Sequence, residues 1–375
     1  MKLVKKSKYL QQFIRFCLGK LGVFPKVNSK LRLIKNADLS HDFKQTLRQM
    51  AFSRPRKVEP FLKSYLSNDI RLIKRARFTD CEGGAILLCA VKDDFARIKM
   101  QINHHRNIGV KHFIYIDNIS TDGTFEWLKE QEDVTLYTVD ALYNSTIRMG
   151  WCQSAIEQEG YGKWYLILDS DELFAYPHME NANILKYVSF LENKKISAVT
   201  TPMIDMYSQS EIFMANPDEE IKNAHCFFDT FYYQDHRYVN WHFGGGPRYR
   251  LFSLKNELTK HSLIKVGKDM VIDVHEIFPF HKNTETRAVA FLLHYKFLPG
   301  DAQKYKEIVK AGNYSWGSQE YKAYMRHYEQ NPKVSFYYPG SQKLNTSIDL
   351  LKINIADKKF SNEFINWTQG STHLS

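Results

Sequence analysis

Cysteine is scarce and scattered. Five residues in 375, Cys17, Cys81, Cys89, Cys152 and Cys226, form no CxxC pair and no zinc-ligand spacing. That excludes a disulfide scaffold or a zinc module and points to reduced thiols in the cytosol. No apolar run reaches the roughly 18–20 residues that span a bilayer. The opening MKLVKKSKYLQQFIRFCLGK has a basic front, but Gln11, Gln12 and Arg15 interrupt any signal-peptide core. Repeats and low-complexity segments are also lacking. The expectation is a cytoplasmic protein that is neither secreted nor membrane-spanning.

Acidic residues are almost missing from one region. Residues 1–77 hold twenty Lys and Arg against four Asp and Glu, a net +16, so the remaining chain carries −5 of the overall +11. A basic leader on a mildly acidic body suggests an anionic surface as partner, membrane or nucleic acid. Leu10, Phe13, Ile14, Cys17, Leu18 and Leu21 fall at helical spacing, with Lys5, Lys6, Lys8, Arg15 and Lys20 around them. Such a helix can lie on an anionic membrane face or dock on the protein's own body. Residues 1–80 read as a basic helical extension broken at Pro25, Pro55 and Pro60. With 43% hydrophobic and 25% charged residues the chain is neither disordered nor membrane-embedded.

From Ala85 the pattern becomes regular. AILLCAV (85–91), HFIYID (112–117), 134–139 and WYLIL (164–168) read as buried strands. Helical periodicity over 95–108, 124–130 and 147–159 separates them. A helix over 184–191 and a strand over 198–203 follow. Shorter strands are expected at 249–252, 263–266 and 291–297, then helices over 301–311 and 318–329. This alternation predicts an α/β fold: a mostly parallel, Rossmann-like sheet with helices on both faces. We place the body at 81–335 and a C-terminal tail at 336–375.

In open α/β sheets, ligands bind beyond the carboxyl ends of the strands. Three polar clusters end strands on that edge: Lys92-Asp93-Asp94, Asp117-Asn118 and Asp169-Ser170-Asp171. Side chains of an extended Asp-x-Asp point to one side, so Asp169 and Asp171 can share a divalent cation, Mg²⁺ or Mn²⁺. A cation offsets their repulsion and leaves positions open for phosphate oxygens. Asp117 at a strand end can accept hydrogen bonds from a ribose or base, whereas Asp122 and Thr124 read as turn and cap residues.

AVKDD, GVKHFIYIDNISTDGT and WYLILDSDELF, in that order, resemble a bacterial glycosyltransferase of the family 2-like group with a GT-A fold. GGPRYRLF, LTKHSLIKV, VHEIFPF and FLLHYKFL extend the resemblance over about residues 84 to 330. Asp93-Asp94 departs from it, since such enzymes often show Asn-Glu there. The resemblance implies a nucleotide-sugar donor, a divalent metal and a hydroxyl acceptor on a glycan or lipid-linked molecule, in surface polysaccharide synthesis. It implies that Asp117 contacts the nucleoside, with Lys92 and Asp94 on the same donor side. Asp169 and Asp171 would hold metal and ribose, and His294 would be a late metal ligand. Arg248 and Arg250, expected on one strand face, and Lys260 would neutralise the leaving diphosphate. An inverting transfer needs a general base, for which His275, Glu276 and Asp235 are the candidates. A peripheral position on the inner membrane face follows from the basic leader. A nucleotidyltransferase would share the sheet and metal site, but no Gly-rich, basic phosphate loop follows the first strand. An anionic-surface binding protein without catalysis is the other alternative, although an acidic, metal-ready body does not suit nucleic acid.

Overall fold

The computed structural model describes residues 25–77, 83–214, 220–235, 242–273, 275–312 and 315–370. The amphipathic stretch over 10–21, Cys17, Cys81 and Trp241 lie outside them. The described residues open with three helices: α1 (Pro25–Asn36), α2 (His41–Ser53) and α3 (Pro55–Ser67). Ser40 caps α2 by accepting from the Phe43 N–H, and Pro55 opens α3 where its missing donor costs nothing. A strand β1 (Arg71–Lys74) leads into β2 (Ala85–Val91), α4 (Phe95–Asn107), β3 (His112–Asp117), α5 (Thr124–Glu130) and β4 (Val134–Thr138). Next come α6 (Ser145–Glu159), β5 (Trp164–Leu168), β6 (Glu172–Ala175), α7 (Ile184–Asn193) and β7 (Ala198–Asp205). Beyond several short elements lie α8 (Gly246–Phe252), β8 (Thr259–Lys265), β9 (Phe291–His294), α9 (Asp301–Ala311), α10 (Ser315–Gln330) and α11 (Lys358–Gly370).

Nine strands form one sheet in the order β1-β4-β3-β2-β5-β8-β7-β9-β6. β2, β3, β4, β5, β7 and β9 run one way, and β1, β6 and β8 run against them. The expected mostly parallel α/β sheet is therefore present. Each face has its own core. Leu87, Phe113 and Leu166 meet Ile98 and Ile102 of α4 and Tyr187 and Leu191 of α7 on one side. Ile86, Leu88, Ile114 and Tyr165 meet Trp151, Ala155 and Ile156 of α6 on the other. Adjacent residues of β2 thus serve opposite cores, as strand alternation requires.

The N-terminal helices are continuous with this body. Leu47, Met50, Phe61 and Leu62 share a cluster with Met149 of α6 and with Val271, Phe278 and Phe280. α3 and α6 are in close contact at Gly150, where a Cβ would lie 2.6 Å from Ser64 Oγ and 2.9 Å from the Tyr65 nitrogen. β1 belongs to the sheet, so the sheet starts before the boundary expected at residue 81. At the other end, α11 packs Phe360, Phe364 and Trp367 around Phe190 of α7, with ring centroids 5.2–5.6 Å apart.

One expected strand is a helix. Residues 249–252 belong to α8, because Gly245 and Gly246 take φ values of +122° and +68° and Pro247 follows in the first turn. Positive φ breaks the strand, and proline starts a helix readily. Arg248 and Arg250 therefore do not share a strand face; two positions along a helix point about 200° apart.

Candidate active site

β5 carries the chain to the middle of the sheet edge, where Asp169-Ser170-Asp171 turns it across to β6 at the far side. The turn is held by backbone. Gln101 Nε2 on α4 donates to the carbonyls of Asp169 (2.6 Å) and Glu172 (3.0 Å). The Tyr295 N–H donates to the Asp171 carbonyl at 2.8 Å, stitching the turn to the end of β9. Asp169, Asp171 and Glu172 offer carboxylate oxygens within 4.8 Å of one another. Such crowding needs compensating charge.

Two different sources supply it. Asp169 receives Arg148 of α6 at 2.7 Å and Lys260 of β8, and Lys260 also lies 2.5 Å from Glu172. Burial alone would raise the Asp169 pKa, but Arg148 and Lys260 outweigh it and hold the group ionised. Glu172, fully buried, has its pKa raised by that burial and tempered by Lys260. Asp171 faces His294 instead, with Nε2 3.2 Å from its carboxylate. The opposite nitrogen, Nδ1, donates to Asp205 Oδ1 at 2.6 Å. Burial would lower the His294 pKa, yet the two carboxylates outweigh it and raise it. Asp171 shifts the other way: burial opposes its ionisation, and His294 overcomes that and lowers its pKa.

Behind Asp205 stands Arg248. Its Nε donates to Asp205 Oδ2 and its Nη1 to Glu320, both at 2.7 Å. Arg248 thus joins the acidic turn through Asp205 and His294 and does not touch it. Arg250 is engaged elsewhere, paired with Asp229 at 2.9 Å and stacked 4.0 Å over the Tyr338 ring.

Two strands away, Asp117 ends β3. Its Oδ1 accepts from the Ser120 N–H at 2.9 Å, while Oδ2 is buried and has no hydrogen-bond partner among the described residues. Burial raises its pKa, partly offset by the bonds from Ser120. A buried carboxylate oxygen without a donor is costly, and the sheet edge is where a ligand donor would reach it. Asp94 pairs with Arg97 (3.0 Å) and accepts from the Ser170 hydroxyl, so it braces the acidic turn against α4. Lys92 is exposed. Asp122 accepts from the Thr124 and Phe95 N–H groups, the turn-and-cap role expected of it.

Among the base candidates, His275 Nδ1 donates to the Thr259 carbonyl at 2.8 Å, next in sequence to Lys260. Glu276 is buried and paired at 3.0 Å with Arg54, the residue between α2 and α3. The Asp235 N–H donates to the His242 carbonyl at 2.7 Å.

No family model matches the chain, and no curated protein matches it. Among solved structures it is similar to the mannosyltransferase PcManGT from Pyrobaculum calidifontis, solved in complex with GDP-Man and Mn²⁺. That likeness has 16% identity and a TM-score of 0.25, and covers 41% of this chain and 47% of that one. The chain thus spans about half the length of that enzyme. TarS 1–349 from S. aureus is similar at 11% identity over 66% of this chain and 72% of that one, with a TM-score of 0.27. HddC from Yersinia pseudotuberculosis is similar at 10% identity over 49% and 74%, with a TM-score of 0.25. At scores this low, the functional reading rests on the chain's own residues.

Three site residues escaped the sequence reading. Arg148 had a signal: it is a lone cation in TIRMGWCQSAI, a mostly small or apolar stretch of a helix that is buried nearly all round. Glu172 was visible beside the Asp-x-Asp but was given no role. Asp205 closes an apolar strand, as Asp117 does, and the strand was ended two residues too early to expose it.

Proposed function

We propose that the chain is a metal-dependent glycosyltransferase of GT-A type, moving a sugar from a nucleotide-sugar to a glycan or lipid-linked hydroxyl with inversion. The observation that carries this reading is the convergence of Asp171 and His294 Nε2 at the carboxyl end of β5, with Nδ1 occupied by Asp205. Metal-binding histidines commonly give the N–H of their non-ligating nitrogen to a carboxylate, as Nδ1 of His294 does to Asp205. Asp171 and His294 would hold Mn²⁺ or Mg²⁺. When bound, such an ion supplies positive charge against the leaving diphosphate.

The remaining roles follow from the chain's own groups. Asp117 Oδ2 accepts from the nucleoside. Asp169, kept ionised by Arg148 and Lys260, orients the ribose, and Lys92 and Asp94 flank the donor. Arg148 and Lys260, both buried and paired with Asp169, would add positive charge on the side of the site that faces the leaving diphosphate. His275 is the general base we favour: with Nδ1 given to Thr259, the lone pair of Nε2 is available. It takes the acceptor hydroxyl proton as that oxygen bonds to the anomeric carbon and the sugar–diphosphate bond breaks. The basic leader holds the enzyme to the anionic inner membrane face. Among the described residues no helix is long and apolar enough to cross a membrane. A panel of nucleotide-sugars, assayed for hydrolysis and thermal stabilisation with Mn²⁺, tests the reading. Stabilisation by one donor supports it, and none by any donor contradicts it.

A further inference from the structure

We propose that Asp205 and Arg248 act together as positioning residues, fixing the tautomer of His294 so that Nε2 presents a lone pair beside Asp171. The inference rests on the metal reading above and adds residues that make no contact with the ion. The geometry is built into the sheet. His294 and Asp205 are register partners on the parallel strands β9 and β7, so the 2.6 Å contact is set by backbone pairing. Arg248 enters at the start of α8, a place fixed by the glycine–proline break. All three side chains are nine-tenths buried or more: 5% exposed for His294, 2% for Asp205 and 4% for Arg248.

The chemistry then allows one arrangement. Arg248 has no acceptor and keeps its charge, so its Nε–H claims Asp205 Oδ2. The other oxygen, Oδ1, is left for the ring. An ionised carboxylate only accepts, so Nδ1 must carry a hydrogen. A neutral imidazole protonated on Nδ1 has its lone pair on Nε2. Arg248 is itself anchored by Glu320 at 2.7 Å and Tyr324 OH at 3.3 Å, with Lys296 3.8 Å from Glu320. Those contacts prevent it from swinging away from Asp205.

Asp205→Asn tests this because it keeps volume and changes donors. Arg248 would claim the single amide oxygen, turning the amide NH₂ toward Nδ1 and driving the ring hydrogen to Nε2. Manganese affinity of the full-length protein, read by electron paramagnetic resonance without nucleotide, should fall about 10–100-fold. In ¹⁵N-histidine spectra of the metal-free protein at pH 9, the signal lost in His294→Ala should report Nδ1–H in the wild type and Nε2–H in Asp205→Asn. Adding Arg248→Met to Asp205→Asn frees the amide to rotate, so part of the Mn²⁺ affinity should return. If His294→Ala weakens Mn²⁺ binding and Asp205→Asn does not, the positioning role is overturned while the metal site stands. Mn²⁺ binding indifferent to His294 overturns both. Should Asp205→Asn not fold, the wild-type ring decides alone: a hydrogen on Nε2 contradicts the proposal.

Discussion

Gly150→Ala puts a single methyl group between α3 and α6, at the point where the N-terminal helices meet the body. In an isolated helix the change would stabilise by about 1 kcal/mol, since glycine costs backbone entropy there. Here the new Cβ would sit 2.6 Å from Ser64 Oγ, 2.7 Å from Ser64 Cβ and 2.9 Å from the Tyr65 nitrogen. A backbone atom cannot rotate out of the way, so the two helices must part. Overpacking of this kind costs about 1–3 kcal/mol. The Ser64 hydroxyl also donates to the Ile147 carbonyl at 2.9 Å, a bond worth about 1 kcal/mol that the displacement removes. The net expectation is a loss of about 1–3 kcal/mol, or a melting temperature lower by about 1–4 °C for a chain of this size. Arg148 lies two residues earlier on the same helix, so nucleotide affinity should fall as well. Combining Gly150→Ala with Ser64→Gly in a double-mutant cycle should show coupling above about 0.5 kcal/mol, because the side-chain part of the clash is relieved. A Gly150→Ala protein as stable as the wild type, with no coupling to Ser64, would refute the close contact and the docking built on it.

Asp117→Asn should weaken nucleoside diphosphate binding about tenfold or more by titration calorimetry, with melting temperature unchanged or raised, because a buried unpaired carboxylate oxygen is removed. Unchanged affinity would take Asp117 out of the donor site. Glu320 has a pKa of about 2: burial would raise it, but Lys296 and Arg248 outweigh that. An unfolded glutamate titrates near 4.3, so this stabilisation is complete above about pH 4.3 and lost as pH falls toward 2. The melting-temperature gap between wild type and Glu320→Gln should therefore be full at pH 7 and narrow below about pH 4.3; a gap independent of pH contradicts it. Full-length protein should bind anionic vesicles at low salt, less in high salt, and less again with Phe13 and Ile14 both changed to Asp; binding insensitive to salt and to both changes excludes the basic leader.

The central strands and their helices were readable because each strand is a short, mostly apolar run and the intervening segments are long enough, and suitably spaced in apolar residues, for helices. HFIYID ends on a carboxylate and WYLIL runs directly into one, so the sheet edge bearing the site was legible as well. Past Asp205 the signals weaken. GGPRYRLF has alternating polarity that looks like a strand, and only the backbone freedom of Gly245 and Gly246 before Pro247 makes it a helix. β6 was hidden because ELFA follows the acidic turn directly and finds its partner, β9, more than a hundred residues later. The same distance hid the partners of the acids. Nothing local to Asp169 announces Arg148 or Lys260, and nothing local to His294 announces Asp205. Long-range pairing brings them together, which periodicity does not encode.

Nucleoside diphosphate binding to wild type and Asp171→Asn, each with Mn²⁺ and with EDTA, tests the metal–diphosphate site most directly. Asparagine keeps the shape of Asp171 and removes its charge, so folding should survive while the cation loses a ligand. Wild type should bind the nucleotide at least about 100-fold more tightly with Mn²⁺ than with EDTA, and Asp171→Asn should lose that difference. Equal binding in all four conditions, with both proteins folded, would contradict a metal-dependent glycosyltransferase built on Asp171 and His294.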